Sequence, residues 1–531
     1  MDLMDILFNT YVITAALGFL VYFIYRFATR NHTFWEERNV PYVKPYPFIG
    51  SLKDNFQNNL EDLDAERYKT LGKIYGFYEA TKPCLMVAEP ELLRDILIKD
   101  FPTFTNRRYM DMGDDVLNKM MTALQSEDWK RVRAIVSPTF STGKLKRVLN
   151  IFQDCAKTLI QSYTKSADSK SPVDVLKFYG AYTMDIIASS AFSTKIDSHN
   201  DPDNIFIQKA RTIFNQDMGF SILLFFLFPN IMKRIGFSLF PKDTMQFFKM
   251  TTLQIIKERK KTGQKRNDFL QLLMDSADEI EKEEDTENSS EDIIRNYGDE
   301  SNNNLVFKNV STKSLGMNEL IAQCALFFIA GYHTTALTLG FTTYHLALEQ
   351  RVQDKLFQEI EEVLSQTNGV LTYESIQKMK YLDNVISETL RLHPPLTRLD
   401  RTADVEYNLK GTGITIPKGT LINVPVYAMH YDPKLFPEPE CYNPERFSSE
   451  ERDKIVPYSY LPFGAGPRNC VGMRFALLEI KICLAYVIST FHVETCPETK
   501  IPLEYNRGQG ILRPKEVTLR LTRRDNCPLK Q

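Results

Sequence analysis

One short stretch of the chain carries residue types that could hold a metal-bearing cofactor. It runs from Phe463 to Gly472 as FGAGPRNCVG and is followed by the helical pattern MRFALLEIKICLAYV. Cys470 therefore comes just before a helix, where free backbone N–H groups and the positive end of the helix dipole stabilise a thiolate. Gly464 and Gly466 can adopt backbone angles that are closed to other residues, so the chain can turn tightly beneath a flat ligand.

Two further residues of this loop suit a planar ligand that bears carboxylates. Gly472 removes a side chain where the helix would approach the ligand, and Arg468 supplies a rigid fork that matches a carboxylate. A lone cysteine is more often an inert, buried hydrophobic residue. Because the turn, the helix start and the arginine occur together, we interpret the loop as one that presents a protected thiolate to an iron in a planar macrocycle.

The other cysteines and histidines indicate no second metal chemistry. The eight cysteines include no C-x-x-C pair and the seven histidines no H-x-x-x-H pair. This spacing favours neither a zinc site nor a disulfide framework, and it suits a reducing compartment. The formal net charge of −2 argues against electrostatic binding of nucleic acid by the chain as a whole.

Charged and aromatic residues at helical spacing form two further candidate groups. Glu388 and Arg391 are three residues apart in ETLR, and Arg446 follows in PERF. Trp129 and Arg133 are four residues apart, so they share a helix face and can both donate hydrogen bonds to one anion. Taken singly, such residues are more often members of surface salt bridges or solvated side chains.

The first elements of the chain predict a membrane anchor. Residues 6–25 contain no charge, about the length needed to cross a bilayer core of roughly 30 Å. Acidic residues precede this span and basic residues follow it, which argues against a cleaved signal peptide and places the rest of the chain in the cytosol. A buried helix is the other alternative. We expect an anchor over residues 1–30 and a Pro-rich linker over 31–50, interpreted as a stiff spacer or an ordinary loop.

The rest of the chain predicts a mainly helical body with a minor β lobe. Helical periodicity extends over residues 145–162, 318–350, 353–365 and 376–392, and extended structure is expected within 411–424.

An acidic insert, residues 276–304, contains too few apolar residues to fold and is predicted to be disordered. The apolar segment 219–240 could be core, a shallow membrane-dipping element or the wall of a pocket. We expect a catalytic domain over 51–525 and a short tail, 526–531.

The loop motif resembles that of the cytochromes P450. It matches F-x-x-G-x-R-x-C-x-G at every fixed position, namely Phe463, Gly466, Arg468, Cys470 and Gly472. The resemblance implies the cytochrome P450 fold and haem b, with Cys470 as the thiolate ligand of the iron. It implies that Arg107, Trp129, Arg133 and Arg401 are basic or donor partners of the haem propionates, and that Glu388, Arg391 and Arg446 form a buried triad.

The resemblance also implies an oxygen-handling motif in the long helical segment, in AGYHTT. Ala330 belongs to the small pair that leaves room for dioxygen, and Thr334 matches the threonine that helps to deliver protons. The usual acid is replaced by His333, which we interpret as a working substitute, although mid-helix Thr and His residues are more often structural. The expected apolar substrate pocket includes Phe328, Ala330, Leu396 and Thr397.

Longer segments of the chain resemble those of the animal microsomal group, which includes vertebrate drug-metabolising and insect detoxifying members. These segments include FTNRR, EDWKRVRAIVSPTFSTGKLK, DFLQLL and IPLEYN. This implies an endoplasmic reticulum enzyme that inserts one oxygen atom of O2 into a lipophilic small molecule. Electrons would come from a separate NADPH-cytochrome P450 reductase, with cytochrome b5 as an additional donor that the resemblance allows. A basic cluster could receive the reductase, or could be solvated surface: Lys130, Arg131, Lys144 and Lys146. The alternatives are a haem-thiolate isomerase or dehydratase that needs no reductase, and a non-catalytic haem sensor.

Overall fold

A mainly helical body with small β-sheets follows a long N-terminal helix. The computed structural model describes residues 3–201, 203–214, 221, 224–225, 227–266, 268–278, 314–506 and 510–530. Apart from residues 276–278, which end a helix, the predicted acidic insert lies outside the described residues, and so does part of the apolar segment 219–240.

The helices of the described residues are named here in chain order. The first eight are α1 (Leu3–Thr29), α2 (Leu52–Gln57), α3 (Leu60–Leu71), α4 (Pro90–Arg94), α5 (Ser126–Val136), α6 (Thr142–Asp168), α7 (Val175–Phe192) and α8 (Ile205–Phe214). They are followed by α9 (Pro229–Arg234), α10 (Lys242–Thr262), α11 (Phe269–Asp278), α12 (Met317–Leu348), α13 (Gln350–Ser365), α14 (Tyr373–Lys378), α15 (Lys380–Leu392), α16 (Val426–His430) and α17 (Met473–Thr490).

The strands of the described residues form three sheets. They are β1 (Ile74–Glu79), β2 (Lys82–Val87), β3 (Val173–Asp174), β4 (Leu399–Thr402), β5 (Tyr407–Leu409), β6 (Ile414–Ile416), β7 (Leu421–Val424), β8 (Phe491–Glu494) and β9 (Thr518–Arg523). The largest sheet has the order β1-β2-β7-β4, in which β2 and β7 are parallel and the other pairs are antiparallel. Sheets β3-β9-β8 and β5-β6 are antiparallel. The predicted mainly α fold with a minor β part is confirmed.

Most of the predicted helical segments coincide with α6, α12 and α13, but two predicted segments are divided. The segment 376–392 is interrupted at Met379, whose φ of −78° and ψ of 80° leave the helical region. Met379 is fully buried, so tertiary packing determines this break. The extended segment 411–424 contains β6 and β7 in different sheets, separated by a turn in which Gly419 has a φ of +86°.

The N-terminal helix is apolar and exposed along most of its length. Within it, residues Thr10–Thr29 are long and apolar enough to cross a membrane. Tyr11 is 74% exposed and Phe19 is 66% exposed, as expected for side chains that would contact lipid rather than protein. Helix α12 passes the same length and composition test, but it is mostly buried and belongs to the core of the body.

The Pro-rich stretch after α1 packs as part of the body, so the stiff-spacer interpretation is wrong. Trp35 is fully buried and its indole Nε1 donates a hydrogen bond to the carbonyl of Phe77, 3.4 Å away. Tyr42 and Gly50 form β-bridges to β1. Trp35 and Val40 are buried in the core of the body, and burial of their apolar surface favours this packing.

Helix α12 runs through the centre of the body and positions the site. It packs most extensively against α7 and also contacts α10, α15 and α17. Its side chains are buried over most of its length, which is why its sequence is apolar on all sides. The exception is the segment around Ala330 and Thr334, where the helix borders an internal cavity.

Candidate active site

The cysteine loop forms the tight turn that its glycines predict. Gly464 has a φ of +72° and Gly466 a φ of +73°, a region that side chains rarely enter. The backbone N–H of Cys470 donates to the carbonyl of Phe463 at 2.9 Å, and the N–H of Asn469 donates to the carbonyl of Gly466 at 2.9 Å. These hydrogen bonds close the loop and direct its cysteine toward the start of α17.

The two fixed glycines of the motif, Gly466 and Gly472, have different structural roles. A Cβ placed on Gly466 would lie 2.0 Å from the carbonyl oxygen of Leu97, so this glycine allows the loop to pack on the body rather than on a ligand. A Cβ on Gly472 would meet only a ring carbon of Phe140, at 3.8 Å. Gly472 borders the cavity, so its missing side chain keeps that space open.

Cys470 is surrounded by the protein body, and the exposed part of its side chain faces a cavity of about 470 Å³. Burial raises the pKa of the Cys470 thiol, while the backbone N–H of Gly472 and the positive charges of Arg133 and Arg107 act in the opposite direction. Because those donors are already in place, they would stabilise the thiolate once a cation such as iron offset its burial.

Arginine side chains collect beside this loop, although they come from distant parts of the chain. Arg133, on α5, donates to the backbone carbonyl of Asn469 at 3.0 Å and to its side-chain Oδ1 at 2.7 Å. Arg107 donates to the carbonyl of Arg468 at 3.0 Å. Arg401 is fully buried on β4 and donates to the carbonyl of Asp400 at 2.7 Å.

Arg468 is fixed by the protein itself. Its Nε donates to the carbonyl of Thr105 and its Nη2 to the carbonyl of Leu124, both at 2.7 Å. The guanidinium carbon lies 4.3 Å from the centre of the Trp129 ring. Two donors of the Arg468 guanidinium, which was predicted to bind a carboxylate, therefore hold neighbouring backbone instead, and its face packs on Trp129.

These buried cations are suited to an anionic ligand. Burial, together with the charges of Arg107 and Arg401, lowers the pKa of Arg468 to about 8. Burial and the charge of Arg107 lower the pKa of Arg401 to about 9. Among the described residues, the Nε atoms of Arg107 and Arg401 are buried and make no hydrogen bond. Such a cluster favours added negative charge, because buried positive charges that lie close together repel one another.

Haem b fits this arrangement. Its two propionates supply the negative charge that the arginines require, and its planar body suits a cavity with apolar walls that include Leu399, Phe463, Val471 and Phe475. Cys470, Arg107, Arg133 and Arg468 line the same cavity together with Trp129. The structure thus brings together the predicted ligand and most of the predicted propionate partners.

The predicted triad forms, with Glu388 and Arg391 fully buried and Arg446 partly buried. Arg391 donates from Nε and Nη2 to the two carboxylate oxygens of Glu388 at 2.7 and 2.8 Å. Arg446 donates to Glu388 at 3.3 Å. The backbone N–H of Asn443 adds a further hydrogen bond at 2.9 Å. The complete pairing explains how these charges are tolerated in the interior.

The central helix brings the predicted threonine to the cavity but not the neighbouring histidine. Ala330 and Thr334 line the cavity, and the Thr334 hydroxyl donates to the carbonyl of Ala330 at 2.7 Å. His333 is absent from the described residues that line the cavity. Burial, followed by the charge of Arg513, lowers the pKa of His333 to about 4, so its imidazole is neutral near pH 7.

The predicted substrate-pocket residues divide into two groups. Ala330 and Leu396 line the cavity, whereas the described cavity wall does not include Phe328 or Thr397. Phe328 is fully buried and packs on Phe248, with ring centres 4.3 Å apart. Two residues along a helix turn by about 200°, so Phe328 and Ala330 point to opposite sides of α12. Thr397 is also fully buried.

Some residues of the site carry no signal that sequence reasoning could use. Phe140, Ile187 and Glu479 line the cavity from three elements that are distant in the chain. His430 lies at the end of α16 and contacts both the triad and Leu461, which is two residues before the cysteine loop. Only tertiary packing brings these residues together.

Comparisons with known proteins agree with this geometry. The family model described as Cytochrome P450 matches residues 40–521. The chain is 38% identical to cytochrome P450 3A11 of Mus musculus, with 99% of each chain covered. It is 37% identical to cytochrome P450 3A2 of Rattus norvegicus, again with 99% of each chain covered, and 37% identical to cytochrome P450 3A6 of Oryctolagus cuniculus, with 98% of this chain and 99% of the relative covered. The chain belongs to the cytochrome P450 family and is a monooxygenase with haem b bound through a cysteine thiolate.

Proposed function

We propose that Cys470 is the thiolate ligand of the haem iron and that the enzyme oxygenates lipophilic small molecules of the xenobiotic or steroid type. The observation that carries this proposal is that Cys470, three arginines of the cluster (Arg107, Arg133 and Arg468) and Thr334 all border one cavity. Bound haem would supply the activation of dioxygen, which a thiolate ligand favours. The protein supplies the ligand, the counter-charges and the proton-handling hydroxyl.

The propionate partners orient the cofactor in this proposal. Arg107, Arg133 and Arg401, with Trp129, offer hydrogen-bond donors near the cysteine loop, so the propionates of a bound haem would lie on that side of the cavity. The Glu388–Arg391–Arg446 triad has a structural role, because its charges pair with one another within the protein. We assign none of the three to direct contact with substrate.

Thr334 is the proposed catalytic hydroxyl. Its hydrogen bond to the Ala330 carbonyl uses its proton and leaves its oxygen free to accept one from the cavity side. His333 was expected to recharge this relay in place of the usual acid. Its imidazole is neutral, and it is absent from the described residues that line the cavity, which supports a smaller role than that of Thr334.

Electrons would come from an NADPH-cytochrome P450 reductase, with cytochrome b5 as a second possible donor. The basic cluster that is predicted to receive the reductase is partly neutralised by acidic side chains of the same protein. Lys130 pairs with Glu127 at 2.7 Å and Lys146 with Glu374 at 2.9 Å. Arg131 pairs with Glu319. Such surface pairs contribute little, so an acidic partner could exchange with them at low ionic strength.

The proposed location is the endoplasmic reticulum membrane, with the catalytic domain in the cytosol. The exposed apolar surface of α1 supports the anchor, and the basic residues that follow the span support the orientation. A lipid-embedded anchor would also place the body close to lipophilic substrates.

The isomerase or dehydratase alternative needs neither reductase nor NADPH. Consumption of NADPH and dioxygen by the full chain with purified reductase, measured during a screen of lipophilic compounds, separates the two. We expect substrate-dependent consumption of both. Rearrangement of oxidised lipids without NADPH would contradict the monooxygenase proposal.

Spectroscopy of the reduced carbon monoxide complex tests the ligand. The wild-type protein should show the strongly red-shifted Soret band of thiolate ligation, and Cys470→His should lose it while retaining haem. The control is Cys483→Ala, which changes a buried cysteine within α17 that does not line the described cavity wall. Retention of the thiolate band in Cys470→His would contradict the assignment of Cys470.

A further inference from the structure

One buried histidine connects the ion-paired triad to the cysteine loop. His430 is the last residue of α16 and is fully buried. Its Nδ1 lies 2.9 Å from the carbonyl oxygen of Arg391. Its Nε2 accepts the backbone N–H of Leu461 at 3.0 Å, and Leu461 begins the segment that leads into the loop.

The two partners of the ring determine its protonation. The carbonyl of Arg391 can only accept a hydrogen bond, so Nδ1 of His430 must carry the proton. The backbone N–H of Leu461 can only donate, so Nε2 must keep its lone pair. His430 is therefore neutral and held in a single tautomer. Burial also lowers its pKa, to about 3, which agrees with this assignment.

Two reciprocal hydrogen bonds join His430 to Arg391 of the triad. Arg391 Nη1 donates to the backbone carbonyl of His430 at 2.8 Å, while the ring of His430 donates to the carbonyl of Arg391. The side chain of each residue thus bonds to the main chain of the other. Because Glu388 holds Arg391 through two hydrogen bonds, the ring has little freedom to move.

The other end of the ring fixes the start of the loop. The carbonyl of Leu461 accepts the N–H of Gly464 at 3.0 Å, and two residues after Leu461 the carbonyl of Phe463 accepts the N–H of Cys470 at 2.9 Å. A displacement of the Leu461 amide would therefore be passed to the turn and to the cysteine.

We propose that His430 is a positioning residue that aligns the cysteine loop on the Glu388–Arg391 pair and thereby holds the Cys470 sulfur at its place in the cavity. The inference rests on the proposed role of Cys470. It assigns a specific role to His430. The hydrogen bonds of its backbone and ring hold the start of the cysteine loop in a fixed position relative to the rigid triad.

A purely space-filling role is the alternative. The ring stacks on Tyr460, with centres 5.3 Å apart, and lies 5.9 Å from the ring of Phe436. His430→Phe keeps an aromatic ring of similar size in this environment but removes both hydrogen bonds. His430→Gln can restore the acceptor for Leu461, because Oε1 of glutamine is as many bonds from Cα as Nε2 of histidine. His430→Asn can restore only the donor to Arg391.

The chain offers a matched control. His393 is also a buried histidine, and it stacks on Phe341 with ring centres 4.2 Å apart. Its side chain bonds to His345 and Tyr505 and to none of the described residues of the cysteine loop. His393→Phe therefore makes the same chemical change in the core, close to Arg391, but leaves the hydrogen bonds of His430 to Arg391 and Leu461 in place.

The experiment uses the full-length, haem-loaded protein and follows the reduced carbon monoxide complex over time. We expect His430→Phe to lose the thiolate-type Soret band about tenfold faster than wild type, as the loss of a buried hydrogen bond would produce. His430→Gln should be slower than His430→Asn, because only Gln retains the bond to the loop. His393→Phe should keep the wild-type rate even if its thermal unfolding midpoint falls.

Several outcomes overturn the inference. A wild-type rate in His430→Phe, or an equal acceleration in His393→Phe, would show that the ring only fills space. If His430→Phe fails to fold, equal rates in His430→Gln and His430→Asn would lead to the same conclusion. Absence of the thiolate band from the wild-type protein would contradict the proposed role of Cys470 instead, so the two failures are distinguishable.

Discussion

The Cα of Gly466 is packed against the main chain of Leu97 so closely that a Cβ at this position would lie 2.0 Å from the Leu97 carbonyl oxygen. This contact joins the cysteine loop to the segment that follows α4. It shows that the second glycine of the loop is needed for the approach of two backbones as well as for its φ of +73°.

Gly466→Ala should therefore destabilise the loop severely. We expect about 1–2 kcal/mol from the left-handed backbone and a further 1–3 kcal/mol or so from overpacking, measured as loss of haem and a lower thermal midpoint. Gly464→Ala is the matched control, since Gly464 has nearly the same φ but a Cβ there would be 3.7 Å from its nearest neighbour. Equal effects of the two substitutions would show that the Leu97 contact is unimportant.

Removal of the anchor should lower membrane association without loss of haem, since no residue of the site lies in α1. The deletion should cover residues 2–25 rather than 2–30, because Ala28 is fully buried and the Asn31 side chain donates to the carbonyl of Thr81 at 2.7 Å. Sedimentation with microsomes and the carbon monoxide spectrum measure the two properties. Strong haem loss in the shorter deletion would show that α1 contributes to the fold of the body.

Thr334→Ala should uncouple the reaction more severely than His333→Ala, because only Thr334 borders the cavity. We expect product formed per NADPH to fall by about tenfold or more in Thr334→Ala, since positioned proton transfer contributes roughly 10²–10⁴-fold. His333→Ala should raise the ratio of peroxide to product by less, and His333→Glu should retain substantial coupling.

Thr338→Ala is the matched control for this pair, because the Thr338 hydroxyl makes the same type of bond, to the carbonyl of Thr334 at 3.0 Å. It should leave coupling near the wild-type value. Unchanged coupling and unchanged pH dependence in His333→Ala would assign His333 a structural role only.

Buried neutral histidines should make the protein labile to acid. Burial lowers the pKa of His345 to about 3 and that of its partner His393 well below the usual 6.5, and the two Nε2 atoms lie 2.7 Å apart. Below pH 6.5 the unfolded chain binds protons that the folded protein does not. Each such histidine therefore removes about 1.4 kcal/mol of stability per pH unit as the pH falls toward its folded pKa.

Guanidinium unfolding midpoints at about pH 7.5 and about pH 5 measure this effect. The wild-type protein should lose stability over this interval, and His345→Asn should lose less, because one fewer histidine takes up a proton on unfolding. An identical pH dependence in His345→Asn would show that His345 is not held neutral in the folded protein.

The sequence by itself determined the chemistry at the centre of the site and the class of fold. Local conditions decide these features: Cys470 precedes a helix, the glycines next to it must turn, and the spacing of Glu388 and Arg391 places them on one helix face. The long helices α6, α12 and α13 follow in the same way from the periodicity of their apolar residues.

Only the tertiary structure decided which residues share the cavity. It places Phe328 and His333 away from the cavity, although both are neighbours of cavity residues in the sequence, because the direction of a side chain around α12 depends on the surrounding helices. It also docks the Pro-rich stretch on β1 through Trp35 and places His430 between Arg391 and Leu461. Such contacts join residues that are far apart in the chain, and no local pattern of residue types records them.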